Sequence, residues 1–583
     1  MQVIPISVSL VASYISGLTV LGVPSDVYVY GANTVWVCLS IVIASIVGYF
    51  VFIPVILKLQ GPTIFEYFEL RFDRKLKVMA TCMYTLQILL YSPVVAYIPA
   101  IAFSQATGIN PHVIIPVVCA TCVLYTCVGG FKAVIWTDVF QFLGTITSIV
   151  AVLIFGIQSV GGIGEVYKKA SRGHRLDFNF SMDPTQRDGF WQMAIGFATH
   201  WIYNLTLQPA AVQKYLSLPK SGDIKRVMFF QCCGLIVVNV LAVLIGITVY
   251  AKYATCDPIS TGKVTRVDQI LPYFVMDISQ TVPVLPGIFI GGVFSAALST
   301  LSSTFNSLAA TVYSDLVSLL ISKEAKQDKE GRILKLIVIT SGAICIGLTF
   351  FVDHMGSLLA FVNASIGLIY GIIVGLFALG VIAPVTNSKG AFLGALSSFL
   401  VVGTIAGLNQ WHSFKGRLGN FAQPISLEGC NAHVNITTAR TVLDSEKPFV
   451  LLRLSFWYNP FVSTMVVILV GLSVSYLTKV SKWNSSNNNC KTPVKYNAAI
   501  THCDECTYNF YKETTSTHNF PWCRNGINLR WRVRQCNHHN TSSCYKNNCC
   551  KKLRKHHRPG PQVNLWSVLA PELAIHPGRF GAG

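Results

Sequence analysis

Seven small hydroxyl side chains lie close together in the middle of one apolar stretch, residues 286–315 (PGIFIGGVFSAALSTLSSTFNSLAATVYSD). Apolar residues precede, separate and follow them, so this stretch is predicted to be a membrane-spanning helix with a polar stripe. Hydroxyl and carbonyl oxygens are hard ligands that suit a hard cation such as Na⁺. Ser299 and Thr300 are adjacent and point about 100° apart on a helix, so they can share an ion only if other oxygens complete its shell. The hydroxyl residues are Ser295, Ser299, Thr300, Ser302, Ser303, Thr304 and Ser307.

The same hydroxyl residues can also have a purely structural role instead of binding an ion. Serine and threonine hydroxyls inside a helix can bond to carbonyls of their own helix, and in membranes they can join neighbouring helices. This interpretation suits most of the seven residues. The spacing alone does not decide between the two interpretations for Ser299 and Thr300.

The composition is typical of a polytopic membrane protein. Of the 583 residues, 52% are hydrophobic and 12% are charged, whereas roughly 25% of residues are charged in soluble proteins. The formal net charge of +20 raises the question of nucleic-acid binding, but half of it, 14 Lys/Arg minus 4 Asp/Glu, lies in residues 484–583. Much of the rest lies in loops on one side of the predicted membrane, so we expect no nucleic-acid partner.

Twelve apolar stretches are long enough, at about 20 residues each, to cross a bilayer. No soluble domain of useful size separates them, so the predicted fold class is an all-α polytopic membrane protein. The predicted spans are 3–22, 33–57, 77–106, 111–129, 134–160, 190–208, 228–253, 283–318, 334–352, 357–382, 389–407 and 455–478.

Lysine and arginine in the short loops predict the orientation, because cytoplasmic loops carry an excess of these residues. Three basic loops fall on one side, whereas the short loops 23–32 and 107–110 on the other side have no Lys or Arg. The long outer loop 161–189 is basic and weakens the pattern without reversing it. Both termini are therefore predicted to be cytoplasmic. The basic loops are 58–77, 209–227 (which includes Lys214) and 319–335.

The predicted outer loops contain residues that are open to modification. Asn179 and Asn435 stand in Asn-X-Ser/Thr sequons, so both are candidates for glycosylation. Cys256 and Cys430 both fall outside and could form a disulfide, which the sequence alone does not decide.

The last hundred residues differ in character from the rest of the chain. Residues 484–583 are basic and contain eight of the 18 cysteines. We expect a disordered basic tail or a mis-joined exon, and a zinc knuckle is the weaker alternative because the cysteine spacing is irregular.

Four motifs, in this order along the chain, resemble the sodium:solute symporter family. The similarity covers about residues 7–480 and is closest to the anion-handling branch, which carries iodide, short monocarboxylates, biotin and pantothenate. The family usually has one more helix before residues 3–22, so a truncated or incomplete N-terminus is expected. The family normally lacks a Cys-rich tail. The motifs are LGVPSDVYVYG (21–31), VGGFKAVIWTDVFQ (128–141), QPAAVQKYLS (208–217) and FSAALSTLSSTFNSLAA (294–310).

The resemblance implies a core of two inverted five-helix repeats, residues 1–160 and 190–382, followed by two further helices in 383–483. In such a core the leading helix of each repeat is broken, and unwound backbone binds ion and solute near the midplane. In the first span the break is expected between Ser13 and Gly17, where Gly17 is flexible and frees nearby carbonyls.

Matching motif to motif, the resemblance implies a sodium site made of oxygens from two helices. Asp138 resembles a family aspartate near the inner ion path, and its alternative role is a helix cap at the membrane interface. The expected Na⁺ ligands are the carbonyls of Ala12, Ile15 and Ala296 and the hydroxyls of Ser299 and Thr300.

The implied solute cavity is less well defined by the motifs. Thr19 stands where the iodide carrier of the family has glutamine, which makes the monocarboxylate carriers more similar at this position. No Lys or Arg is expected at the centre of a span, so half-helix N-termini and the bound Na⁺ would have to attract an anion. The expected solute-binding residues are Tyr14, Thr19, Gln87, Tyr91, Asn204 and Gln208.

The resemblance implies a sodium-coupled symporter that imports a small organic anion, a monocarboxylate or vitamin-type carboxylate, across the plasma membrane. Its partners would be Na⁺, the solute and the lipid bilayer, and no cofactor is expected beyond Na⁺ as the coupling ion. The alternatives are an iodide-type inorganic anion symporter and a channel or sensor with the same fold. An enzyme is disfavoured because the predicted spans offer no cluster of His, Glu and Asp residues.

Overall fold

A computed structural model describes residues 2–487, apart from positions 60, 62, 221, 322, 353–357, 416, 419–421 and 431–447. Within this part the chain is helical and contains no β-strand. The predicted tail beyond residue 487 and the sequon at Asn435 lie outside the described residues.

Nine of the described helices are long and apolar enough to cross a membrane, and a bent pair of helices makes a tenth span. The predicted all-α polytopic class is therefore confirmed. The helices of the first half are α1 Val3–Tyr14, α2 Leu18–Tyr30, α3 Ala32–Leu59, α4 Glu66–Arg71, α5 Arg74–Thr107, α6 Pro111–Val160 and α7 Ile163–Arg172. Those of the second half are α8 Ala198–Ile202, α9 Pro209–Leu216, α10 Asp223–Lys252, α11 Ile270–Ile278, α12 Leu285–Asp315, α13 Lys323–Val352, α14 Leu358–Ile382, α15 Ser388–Phe414 and α16 Asn459–Asn487.

The first span is broken where the sequence predicts it. Helices α1 and α2 meet at a bend of 59°, and Ile15 between them has an extended backbone with φ −87° and ψ 92°. The span also continues to Tyr30, eight residues beyond its predicted end at residue 22.

The expected role of Gly17 is wrong. Its backbone is right-handed helical, with φ −53° and ψ −29°, so no special conformational freedom is needed there. A Cβ atom at this position would lie 2.8 Å from Cγ2 of Ile98. Gly17 therefore serves close packing of the broken span against α5.

Helix α6 contains two of the predicted spans. Its 50 residues would extend about 75 Å, whereas the hydrocarbon core is about 30 Å thick. The helix is kinked at Gly130, where φ is +60°, a conformation that glycine adopts without a steric penalty. The arms before and after the kink correspond to the predicted spans 111–129 and 134–160.

The predicted sixth span, residues 190–208, is α-helical only over a short central part. Two π-helical segments, Trp191–Gly196 and Tyr203–Leu207, flank the short helix α8. Departures of this kind from α-helical geometry are frequent at functional sites. The first and sixth spans, which lead the two expected repeats, are thus both interrupted.

Helix α12, which carries the hydroxyl-rich stretch, lies at the centre of the fold and packs chiefly against α6 and α5. The contact with α6 is close: a Cβ atom on Gly292 would lie 2.1 Å from Cβ of Ser148. Thr145 donates a hydrogen bond to the carbonyl of Gly292 at 3.2 Å. Small residues allow this approach, as is usual between membrane helices.

The predicted outer side is held by long-range contacts. Cys256 and Cys430, 174 residues apart, form the disulfide that the sequence leaves open. Arg175 in the basic loop 161–189 is buried and donates hydrogen bonds to the carbonyls of Tyr28 and Pro424 at 2.9 Å each. This loop is therefore packed against the first span rather than free in solvent.

Candidate sodium and solute sites

The hydroxyls of Ser299 and Thr300 face the break in the first span. The Ser299 hydroxyl lies 3.0 Å from the carbonyl oxygens of both Ala12 and Ala296. The Thr300 hydroxyl lies 3.1 Å from the carbonyl of Ala296 and 3.3 Å from that of Ser13. Both side chains are 1% exposed, so this part of α12 faces protein and not lipid.

The expected ligands are thus largely brought together. Ala12, Ala296, Ser299 and Thr300 form one cluster, and the structure adds the carbonyl of Ser13, which sequence matching did not include. Ile15 is buried beside them and lines the adjoining cavity. Since the donor set consists of neutral oxygens only, it fits the chemistry of an alkali cation.

A second polar cluster surrounds Asp138, which is completely buried. Its Oδ2 accepts hydrogen bonds from the hydroxyls of Ser9 at 2.7 Å and Ser303 at 3.2 Å. Its Oδ1 is buried and has no hydrogen-bond partner among the described residues. Asp138 therefore lies inside the helix bundle, and the alternative role as an interfacial cap does not fit its surroundings.

Lys214 is the main residue that sequence reasoning placed wrongly. It was expected in a basic cytoplasmic loop, but it lies on α9 and its side chain is 2% exposed. Its ammonium lies 2.9 Å from Oδ2 of Asp138, 2.6 Å from the hydroxyl of Ser13 and 3.1 Å from that of Ser303. The expectation concerned Lys and Arg at the centres of spans, and it did not foresee that Lys214 on the short helix α9 would place its ammonium inside the helix bundle.

Ser13 belongs to both clusters. Its carbonyl oxygen accepts from Thr300, and its hydroxyl lies between Lys214 and Ser303, at 2.6 and 2.9 Å. The expected sodium site and the Asp138–Lys214 pair are therefore joined by direct contacts of one residue at the break.

A cavity of about 140 Å³ opens beside the expected sodium site. Residues of α2, α5, α8, α10, α12 and α14 contribute to its walls, together with the unwound segment between α1 and α2. None of the described residues that line it is Lys, Arg, Asp or Glu. Its chemistry is that of a solute pocket, with apolar and aromatic walls and a few polar groups.

Five of the six expected solute-binding residues line this cavity. The exception is Gln87, which is fully buried behind the wall and donates to the hydroxyl of Tyr370 at 3.3 Å. The hydroxyl of Tyr14 donates to the carbonyl of Asn204 and so connects the first span to the sixth. The five lining residues are Tyr14, Thr19, Tyr91, Asn204 and Gln208.

Several lining residues were not predicted from the sequence. His200 and Trp201 on α8, Asn363 and Tyr370 on α14, and Trp457 just before α16 all face the cavity. The one signal in the sequence was a polar or aromatic residue within a predicted span, which does not reveal the direction of the side chain.

Asn179, the expected glycosylation residue within the described part, has its side chain engaged. Its Oδ1 accepts from the backbone N–H of Ser181 at 2.9 Å, and its Nδ2 donates to Gln186. Attachment of a glycan at Nδ2 would displace the second bond, and modification of Asn179 stays a prediction.

A multi-pass helical chain with a broken first span, a cluster of buried oxygens at the break and an adjoining cavity is typical of a membrane transport protein. The model of the sodium:solute symporter family matches residues 1–397. The chain therefore belongs to the sodium:solute symporter family, whose members are transporters and not enzymes.

Individual relatives agree with this membership. Sodium-coupled monocarboxylate transporter 1 of Xenopus laevis is 33% identical over 500 residues, which cover 83% of this chain and 80% of the relative. Sodium-coupled monocarboxylate transporter 2 of Mus musculus is 33% identical over 489 residues, which cover 81% and 77%. The solved structure of a Na⁺-coupled sialic acid symporter in a substrate-bound outward-open state has a TM-score of 0.65 at 22% identity, covering 82% of this chain and 90% of that one. This last likeness shows the fold.

Proposed function

We propose that this chain imports a small organic anion, a monocarboxylate or vitamin-type carboxylate, across the plasma membrane together with Na⁺. The observation that carries the proposal is the meeting of the Ser299 and Thr300 hydroxyls with the carbonyls of Ala12 and Ser13 at 3.0 and 3.3 Å. Sodium bound there would replace hydrogen bonds by coordination and would link the first span to α12.

Such an ion can bias a conformational equilibrium. A ligand favours the state that it binds more tightly, and this site is complete only when α12 and the break in the first span lie together. In the proposed repeats, 1–160 and 190–382, these two elements belong to different halves. Sodium binding would therefore favour one arrangement of the halves, and its release would allow the alternation that moves the solute.

Asp138 is proposed to lie on the inner ion path. Its carboxylate is connected to the sodium site through Ser13, and its Oδ1 has no partner among the described residues. A cation that leaves the site toward the predicted cytoplasmic side, where both termini are proposed to lie, would meet this oxygen next.

The driving force is adequate for accumulation of an anion. If two Na⁺ enter with each monoanion, one net positive charge moves inward, and moving it across 100 mV is worth about 2.3 kcal/mol. A tenfold Na⁺ gradient adds about 1.4 kcal/mol for each Na⁺. The relatives named as monocarboxylate transporters favour a small carboxylate as the solute.

Uptake of radiolabelled solutes in sodium medium and in choline medium tests the proposal. The panel is lactate, nicotinate, biotin, pantothenate and iodide, in cells that express the full chain and in matched empty cells. Sodium-dependent uptake of a carboxylate supports the proposal. Sodium-dependent uptake of iodide alone favours the inorganic-anion alternative. Flux that is independent of sodium, or no flux in a chain that reaches the surface, favours the channel or sensor.

A further inference from the structure

His200 lines the cavity, and one of its two ring nitrogens lacks a partner among the described residues. Its side chain is 8% exposed, yet its Nδ1 has no hydrogen-bond partner in the part of the chain that the structure describes. Leaving such a group unpaired costs roughly 1–3 kcal/mol, and native proteins rarely do so without a reason. A partner absent from the chain itself, such as a bound solute, would remove this cost.

The ring of His200 is held in place by aromatic contacts rather than by a carboxylate. It stacks on Phe197 with centroids 4.1 Å apart and an interplanar angle of 22°. It also contacts Tyr370 with centroids at 4.9 Å and Trp201 at 5.8 Å. The ring is therefore oriented before any solute arrives, while its hydrogen-bonding capacity remains available.

The neighbouring Trp201 has the same feature. Its indole N–H is buried and unpaired within the described residues, and the residue also lines the cavity. An indole nitrogen can only donate, so the Trp201 N–H has no acceptor within reach among the described residues. Two unpaired N–H-bearing rings on one short helix favour a solute that is rich in acceptor oxygens.

Among the described lining residues, His200 and Trp201 carry a ring N–H, and a neutral imidazole can donate a hydrogen bond to a carboxylate oxygen. We propose that His200 binds the carboxylate of the transported solute through a ring N–H and so selects carboxylates over their uncharged analogues. This inference rests on the proposed function, since it concerns the same cavity and names its anion-recognising residue.

Equilibrium binding of radiolabelled nicotinate and nicotinamide to the purified full chain, in sodium medium, tests the inference. The two ligands have the same ring and similar size, but nicotinamide carries no carboxylate. His200→Phe retains an aromatic ring and removes both nitrogens, whereas His200→Gln restores an N–H donor. Tyr203→Phe is the matched control, because the Tyr203 hydroxyl is another buried, unpartnered group of the same span but does not line the cavity.

We expect His200→Phe to raise the Kd for nicotinate roughly ten- to a hundredfold, the range for one hydrogen bond to a charged group. His200→Gln should stay within about threefold of the wild type, and Tyr203→Phe should bind as the wild type does. The wild-type preference for nicotinate over nicotinamide should disappear in His200→Phe, while thermal stabilisation by Na⁺ should remain.

Three results would overturn the inference. The first is unchanged nicotinate binding in His200→Phe. The second is that both His200 variants lose nicotinate binding and also lose stabilisation by Na⁺. The third is that the wild type does not bind nicotinate or binds nicotinamide equally well. Failure of the proposed function has a different signature, namely nicotinate binding that depends on His200 but no sodium-driven uptake. In that case the assignment of His200 is supported while transport is not.

Discussion

The ammonium of Lys214 lies 2.9 Å from Oδ2 of Asp138, although 76 residues separate the two in the chain. Both groups are at most 2% exposed. The pair is surrounded by Ser9, Ser13 and Ser303, whose hydroxyls or carbonyls contact one or both charges. Because Ser13 also contacts Thr300, this ion pair is next to the expected sodium site and shares a residue with it.

Removing one charge of the Asp138–Lys214 pair should destabilise the protein more than removing both charges. Asp138→Asn leaves Lys214 without its anion, and Lys214→Met leaves Asp138 without its cation, each at a cost of about 3–5 kcal/mol. The double variant removes both charges, so its melting temperature in detergent should exceed that of either single variant. Additive effects of the two substitutions, within about 0.5 kcal/mol, would show that the charges do not depend on each other. Lys214→Arg, which retains the charge, serves as the control.

The sodium site can be tested by removing one oxygen at a time. Ser299→Ala and Thr300→Ala should each raise the Na⁺ concentration for half-maximal uptake roughly five- to thirtyfold, because one ligand to a cation is worth about 1–2 kcal/mol. The control is Ser295→Ala on the same helix, since the Ser295 hydroxyl bonds only to the carbonyl of Gly291 in its own helix. Surface expression is measured for each variant by biotinylation. Sodium dependence equal to that of the wild type in both Ser299→Ala and Thr300→Ala would remove the basis of the proposed site.

The two bonded cysteines can test both the disulfide itself and the side of the membrane on which their loops lie. In the wild type, Cys256 and Cys430 are joined, so neither should react with a membrane-impermeant maleimide added to intact cells. Cys256→Ser should free the half-buried thiol of Cys430 and make it reactive from outside, and Cys430→Ser should do the same for Cys256. Peptide mass spectrometry identifies the modified residue. Labelling of these thiols only after the cells are opened would place both loops on the cytoplasmic side and reverse the proposed orientation.

Helices α14 and α16 pack so closely at Gly371 that a larger residue there should destabilise the protein. A Cβ atom at Gly371 would lie 2.2 Å from the carbonyl oxygen of Pro460 and 2.6 Å from Cβ of Ser463. Gly371→Ala should therefore destabilise the protein by about 1–3 kcal/mol, the usual cost of overpacking. Gly347→Ala is the matched control, because nothing lies within 4 Å of its added Cβ and alanine favours the helix. Equal melting temperatures of the two variants would mean that the α14–α16 contact can relax.

Much of the expected site depended on local features of the sequence. Long apolar stretches predict spans because each must shield its backbone from lipid, and hydroxyls inside such a stretch stand out against that background. Local features made Ser299 and Thr300 candidates, and the family resemblance then selected them as ligands together with Ala12. The resemblance also implied the break near Ile15, although the reason assigned to Gly17 was wrong, because the close approach of Ile98 explains the glycine.

The sequence alone determined that this chain is a multi-pass helical membrane protein and that α12 carries oxygens suited to an ion. These two properties follow from residue types within about 20 neighbouring positions, whereas the interruption of the first span was implied by the resemblance of the motifs to a family. Only the tertiary structure decided that Lys214 lies inside the bundle, that His200 faces the cavity and that Gln87 lies behind the wall. The direction and partners of a side chain depend on how helices that are distant in the sequence pack together. The type of a polar residue in a span does not reveal whether it faces a solute, an ion pair or another helix.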